Sequence, residues 1–191
     1  MKRTTTDRRI VKRFVRHERG MAMVEFAMVL PLLLTLFYGA VEITRYVLIV
    51  QKAEKFSHTV ADVSAQSQTV TTASLNQLLT ASSDLMRPFS MNENGRVIIT
   101  SLYREPGQAN ARVNWRHQGG GSLTAISRLG AMGAVPSMPV VFAFDERENL
   151  IAAEVYYRFS PLISDQFFGT TTVYRVAFYK PRLGALVSPP T

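Results

Sequence analysis

The chain contains no cysteine. That excludes disulfides and thiolate metal sites, and it leaves the compartment open. Its three histidines, His17, His58 and His117, stand too far apart for a metal-ligand spacing. No serine occupies a nucleophile-elbow setting. The one glycine-rich stretch, Gln118-Gly-Gly-Gly-Ser122, lacks the Lys-Ser/Thr of a phosphate loop and is expected to be a flexible connection. Asp84 and Asp165 are isolated, and Asp145, Glu146 and Glu148 share a turn where solvation accounts for them. The sequence therefore argues for no catalytic residue, no metal and no cofactor, and an enzyme is not expected.

Acidic residues are outnumbered, 14 to 22, but the excess is local. Eight of the basic residues and only two of the acidic ones fall in the first nineteen positions, which leaves the rest of the chain nearly balanced. A nucleic-acid binder needs a basic face on a folded module. Here the charge belongs to a tail, so no nucleic-acid partner is expected.

One long apolar run follows that tail. Phe26–Val41 has no charged residue over sixteen positions. As a helix it would span about 24 Å at 1.5 Å per residue. That is slightly short of a hydrocarbon layer of about 30 Å. Adding Met21–Val24 restores the length and carries Glu25 to the membrane edge. The rival is a secretory signal peptide, but the residues before a cut after Ala40 are Tyr38-Gly39-Ala40, a poor cleavage site. A retained helix in membrane lipid is expected. Positive charge beside a membrane segment stays cytoplasmic. Arg13, Arg16 and Arg19 should thus hold the N-terminus inside, giving a single pass through the inner membrane with the C-terminal part periplasmic or extracytoplasmic. Pro31 lies within the run and is expected to bend the helix.

The helical period continues past the run. Tyr46, Ile49, Ala53, Phe56, Val60 and Val63 form one stripe, with Gln51, Lys55, His58, Asp62 and Gln66 largely elsewhere on the wheel. Glu42 and Arg45 are spaced for an interface pair. Ser74-Leu-Asn-Gln77 is a capping-box pattern that opens a second helix over about 75–87, closed by Pro88. The period then becomes two. Strands are expected at Val97–Arg104, Ala111–His117, Leu150–Phe159 and Thr171–Lys180. Leu123–Leu129 would be a short helix, and Val140–Phe144 would lead into a charged hairpin-like turn at 145–149. In 150–159, Ile151, Ala153, Val155, Tyr157 and Phe159 face one way, with Glu154 and Arg158 opposite. In the last strand Tyr174, Val176 and Phe178 should be the buried face. Such alternation predicts an antiparallel sheet covered on one side, by the long helix. The fold expected is α+β, a long N-terminal transmembrane and amphipathic helix on a small antiparallel sheet, pilin-like. The segments are 1–20, a basic leader; 21–50, the membrane helix; and 51–191, the outer domain.

Around the start of the run stand Gly20-Met-Ala-Met-Val-Glu25-Phe26. This resembles a type IV prepilin cleavage motif, in which a prepilin peptidase cuts after the glycine and a glutamate lies five residues on. VEFAMVLPLLLTLFYGAVEITR is more closely similar to the TadE/TadG-like family, minor pseudopilins of tight-adherence (Flp) pili. Pro31, Gly39 and Glu42 match that family's pattern, as do, more weakly, Tyr156-Tyr157-Arg-Phe-Ser-Pro161 and Tyr179-Lys-Pro181-Arg182. The leader is longer than some, and cysteines found in several such proteins are missing. The resemblance implies processing between Gly20 and Met21 and an assembly role for Glu25 and Phe26. It implies as partners the peptidase, other pilins or pseudopilins and the assembly platform, and adhesion as the outcome. Physically, a small Gly20 suits an extended backbone in a protease site. Cleavage would create an amine one turn from Glu25, and an unpaired carboxylate in lipid is costly. The alternative is an unprocessed envelope scaffold or adaptor whose Glu25 snorkels to the headgroups.

Overall fold

The computed structural model describes residues 18–139, 142–162 and 169–191. Two compact units divide the chain, Met1–Thr44 and Arg45–Thr191. In the described part of the first, every residue belongs to helix α1 (Glu18–Ala65), which continues into the second unit. Nearly all its side chains between Met21 and Thr44 are exposed, Met23 and Met28 by 75 % and Phe26 and Leu32 by 60 %. A helix that is apolar all round and uncovered needs a nonaqueous surrounding.

In the second unit α1 turns one side inward. Ile49, Ala53, Phe56, Val60, Ala61 and Ala65 are buried. Tyr46 and Val63, expected in that stripe, are 40 % and 41 % exposed, and the small Ser64 and Ala65 take the last inward positions. Helix α2 (Thr72–Ser82) buries Leu75 and Leu79 and runs into a 3-10 turn, Ser83–Met86. Its cap lies three residues earlier than expected. Thr71 is the N-cap, accepting from Ser74 N at 3.1 Å, while Ser74 Oγ accepts from Thr71 N at 3.0 Å. Two hydroxyl residues spaced by three satisfy each other's backbone, which leaves Ser74 inside the helix.

Four strands form one antiparallel sheet: β1 (Gly95–Tyr103), β2 (Arg112–Gly119), β3 (Asn149–Phe159) and β4 (Thr171–Tyr179), in the order β2-β1-β3-β4. The fold is α+β, with the long apolar helix packed by its second half on this sheet. The core between them holds Phe56, Val60, Val97, Ile99, Trp115, Ile151, Ala153, Val155 and Tyr157. The outward side of α1 is tied to β4 and the residues after it. Arg182 pairs with Asp62 at 3.0 Å, and Arg175 lies 3.8 Å from Glu54.

The second face of the sheet is covered too, contrary to the one-sided expectation. Residues 120–139 and 142–144 lie on it. Leu123 packs with Ile98 and Tyr156, and Met138, Phe142 and Phe144 pack around Leu102, Val113 and Leu150. At Gly121 a Cβ would collide with the carbonyls of Gly95 and Met91, so only glycine lets the segment pass this close to the sheet. The expected helix at 123–129 is absent because its polar groups bond to the sheet. Leu123 N donates to Gly95 O, and Leu123 O accepts from Arg96 Nε at 2.9 Å. Residues 142–144 form no strand, and 140 and 141 lie outside the described residues. Phe142 instead stacks against Phe178, centroids 5.2 Å apart. In β4 the register puts Tyr174, Val176 and Phe178 opposite Tyr156, Glu154 and Ala152, on this second face. Val173 and Ala177 face α1.

After β4 the chain returns across the core. Arg182 N donates to Ala65 O at 3.0 Å. Leu186, 3 % exposed, donates its N–H to Asn149 Oδ1 at 2.9 Å. Its carbonyl accepts from Trp115 Nε1 at 2.8 Å and Ser101 Oγ at 2.9 Å. Thr191 O accepts from Thr72 N at 2.9 Å.

Candidate functional site

The residues singled out for processing and assembly all lie at the start of α1. Gly20 is helical and half-buried, Met21 is 50 % exposed, and Glu25 and Phe26 are exposed. Residues four apart on a helix share a face about 6 Å apart. Met21 and Glu25 are so placed, and Gly20 lies off that line. Pro31 sits inside the helix. Lacking an N–H, it leaves the Ala27 carbonyl without its i+4 partner. Thr35 Oγ1 donates to Pro31 O at 2.8 Å, and Thr44 Oγ1 to Ala40 O at 2.8 Å, so both hydroxyls are satisfied within the helix. Gly39 has open space where a Cβ would be. Glu42 is 4 % exposed, unlike Glu25. Arg13 and Arg16 lie outside the described residues.

Residues 20–62 match the family model of TadE-like proteins. Over this segment the chain is similar to TadE-like proteins. The match covers the apolar part of α1 and most of its amphipathic part, and it leaves the sheet outside. No curated protein and no solved structure matches the chain. Among the described residues one helix is long and apolar enough to cross a membrane, and it is the one that carries the TadE-like segment.

Outside that segment, the most unusual group in the folded unit is one that alternation assigned to solvent. Glu154 is fully buried. Its carboxyl accepts from the Ser127 hydroxyl, from Arg128 N at 2.8 Å, and from the phenols of Tyr156 at 2.9 Å and Tyr174 at 3.1 Å. Tyr156 Oη is equally 2.9 Å from Ile126 O, so its single proton serves one acceptor at a time. The Arg128 guanidinium lies 4.3 Å from the Tyr174 ring centroid. Burial, and then the neighbouring Glu154 charge, pushes both phenols well above the usual tyrosine range. The arrangement fastens residues 126–128 to the sheet. A β-strand reads as alternating only when one face is wet, and here nothing in the local pattern announces the second cover.

Among the described residues the two histidines are likewise tied to structural partners, and His17 lies outside them. His117 Nε2 is 3.0 Å from Asn76 Oδ1, and burial lowers its pKa. His58 Nδ1 is 3.4 Å from Tyr179 Oη. Glu148, in the charged turn, pairs with Lys180, which holds its carboxyl below the usual range.

Proposed function

We propose that the chain is a minor pseudopilin of a tight-adherence pilus or type II-like secretion system, matured by a prepilin peptidase and acting in pilus assembly and surface adhesion. The observation that carries this reading is the position of the family match, which begins at Gly20. That glycine separates the basic leader from the apolar helix and stands five residues before Glu25. The likeness to TadE-like proteins supports an association with a pilus.

In this reading the leader, with Arg13, Arg16 and Arg19, keeps the N-terminus cytoplasmic and the helix in the inner membrane. Residues 21–50 form the membrane helix, and 51–191 lie outside. Cutting after Gly20 removes the leader's charge and leaves an amine on Met21. Glu25 lies one helical turn on, where that amine, or a neighbouring subunit's, offsets the cost of a carboxylate at the lipid edge. Phe26 begins the apolar surface that other pilins would meet. Pro31 gives a local bend through the unpaired Ala27 carbonyl.

The test is N-terminal sequencing of the protein recovered from membranes, in a host with the peptidase. Wild type should begin at Met21, and Gly20→Asp should accumulate as full-length precursor. If both run alike on a gel, the pseudopilin reading fails in favour of an unprocessed scaffold. Glu25 answers a different question. Glu25→Ala and Glu25→Gln should both be cleaved and reach normal membrane levels, since removing a carboxylate eases insertion. Both should yield few or no sheared pili. Loss of cleavage would assign Glu25 to peptidase recognition, and normal pili would remove it from assembly.

A further inference from the structure

The exposed side of α1 changes character at Gln51, well inside the second unit. From there it is what water demands: Gln51, Glu54, Lys55 and His58 are all exposed. The turn before differs. Ile49 is buried at 1 %, but Tyr46, Val47 and Leu48 are 40 %, 43 % and 41 % exposed. Tyr46 stands edge-on to Phe159, centroids 5.5 Å apart, and the Arg45 guanidinium lies 5.6 Å from that same ring. Single exposed apolar side chains are ordinary. Three in succession, on a helix whose exposed side in this unit is otherwise polar but for the single Val63, mark a contact surface.

Two features identify the neighbour. The turn follows, after residues 42–45, on the apolar run Phe26–Val41 and belongs to the one described helix long and apolar enough to cross a membrane. The composition agrees as well. Tyrosine settles at the membrane–water boundary, with its ring among the glycerol groups and its hydroxyl in water. Aliphatic side chains beside it gain from the same partly dry layer.

We propose that Tyr46, Val47 and Leu48 seat the folded unit in the phospholipid headgroup layer, so that lipid contact extends past the apolar span onto the unit itself. The unit then rests on the membrane surface and is not held away from it. This rests on the membrane reading above, and the two can fail separately.

The absence of cysteine makes the test clean, because each introduced thiol reports one position. The full chain, in phospholipid nanodiscs loaded with one copy each, carries Leu36→Cys, Val47→Cys, Leu48→Cys or Lys55→Cys. Each is reacted with a membrane-impermeant maleimide. Leu36→Cys should stay unlabelled. Val47→Cys and Leu48→Cys should react about tenfold or more slower than Lys55→Cys, because a thiolate forms and meets the reagent only in water. A fluorophore placed at 47 should be quenched by headgroup nitroxide lipids, and one at 55 should not. If 47 and 48 label as fast as 55 while 36 is protected, the membrane span stands and the seating is wrong. Full labelling at 36 removes the span and the seating together. Protection at 47 and 48 without nitroxide quenching would point to a protein neighbour and also overturns the proposal.

Discussion

Replacing Glu154 by alanine is expected to cost the folded unit about 3–5 kcal/mol, because buried neutral donors lose their shared acceptor and the side chain leaves a gap. Domains of this kind have about 5–15 kcal/mol in all, so the effect should be visible without refined measurement. The reason is the donors left behind. The Ser127 hydroxyl and the Tyr174 phenol would lose their acceptor, at about 1–3 kcal/mol per unpaired group, while Arg128 N keeps Tyr156 Oη at 3.2 Å. Tyr156 is spared in part, because Ile126 O can take its proton. Glu154→Gln keeps the shape and one acceptor oxygen and should cost less, about 1–2 kcal/mol. The measurement is urea unfolding of the full chain in detergent, followed through Trp115, the one tryptophan, which lies on the other face of the sheet. A midpoint for Glu154→Ala equal to wild type would mean the buried carboxyl is not what fastens residues 126–128.

The same network sets a pH response. Tyr156 and Tyr174 have folded-state pKa values raised above their ordinary 10.0. Below pH 10 both folded and unfolded phenols are protonated, and the preference for the neutral form is fully present. Above it the unfolded chain releases protons that the folded one retains, so stability falls as pH rises. Lys180, whose pKa its Glu148 partner raises, adds a smaller loss of the same sign. Tyr174→Phe should flatten the alkaline drop, and a slope unchanged in this variant would remove Tyr174 as a cause.

Phe56→Ala is the second large effect. Phe56 is fully buried, midway along the inward side of α1 and in the cluster that joins the helix to the sheet. Truncating a buried phenylalanine costs about 3–5 kcal/mol through lost burial and the cavity left behind. The expected outcome separates the two units. Limited proteolysis of the membrane-embedded protein should digest residues beyond the apolar segment in the variant and spare them in wild type, with the apolar segment recovered from lipid in both. Equal resistance in both proteins would mean that α1 is not held on the sheet by this stripe.

How much of this could be read beforehand follows from what each pattern requires. Helix α1 announced itself because one apolar run and one stripe of spacing three and four share no other explanation. Gly20 and Glu25 stood out for a related reason, a small residue and a charge at the edge of a run that favours neither. The strands were legible as existing, each within a few residues of its ends. Their faces were not. In β4, Val173, Ala177 and Tyr179 alternate with Tyr174, Val176 and Phe178, so both parities are apolar. Size favoured the second set, but Val173 and Ala177 pack toward the helix, while Leu123 and residues 138–139 and 142–144 cover the side of Tyr174 and Phe178. Glu154 was misplaced by the same fact. A glutamate in a strand signals solvent unless donors arrive from a distant loop, and Ser127 and Arg128 have no local pattern that aims them there.

The return of the chain through Leu186 imposes an order of events on biogenesis. Synthesis delivers α1 first, with its apolar stripe uncovered, and then β1 to β3 with the Trp115 indole, the Ser101 hydroxyl and the Asn149 amide still without the segment that joins them. Closing contacts between residues this far apart in sequence is slow, because the entropy of the loop is lost before any contact compensates it. The unit must therefore wait, open and sticky, until the stretch around Leu186 has been made. During that interval a surface able to bind a holding chaperone, or the bilayer beside it, decides whether the chain folds or aggregates.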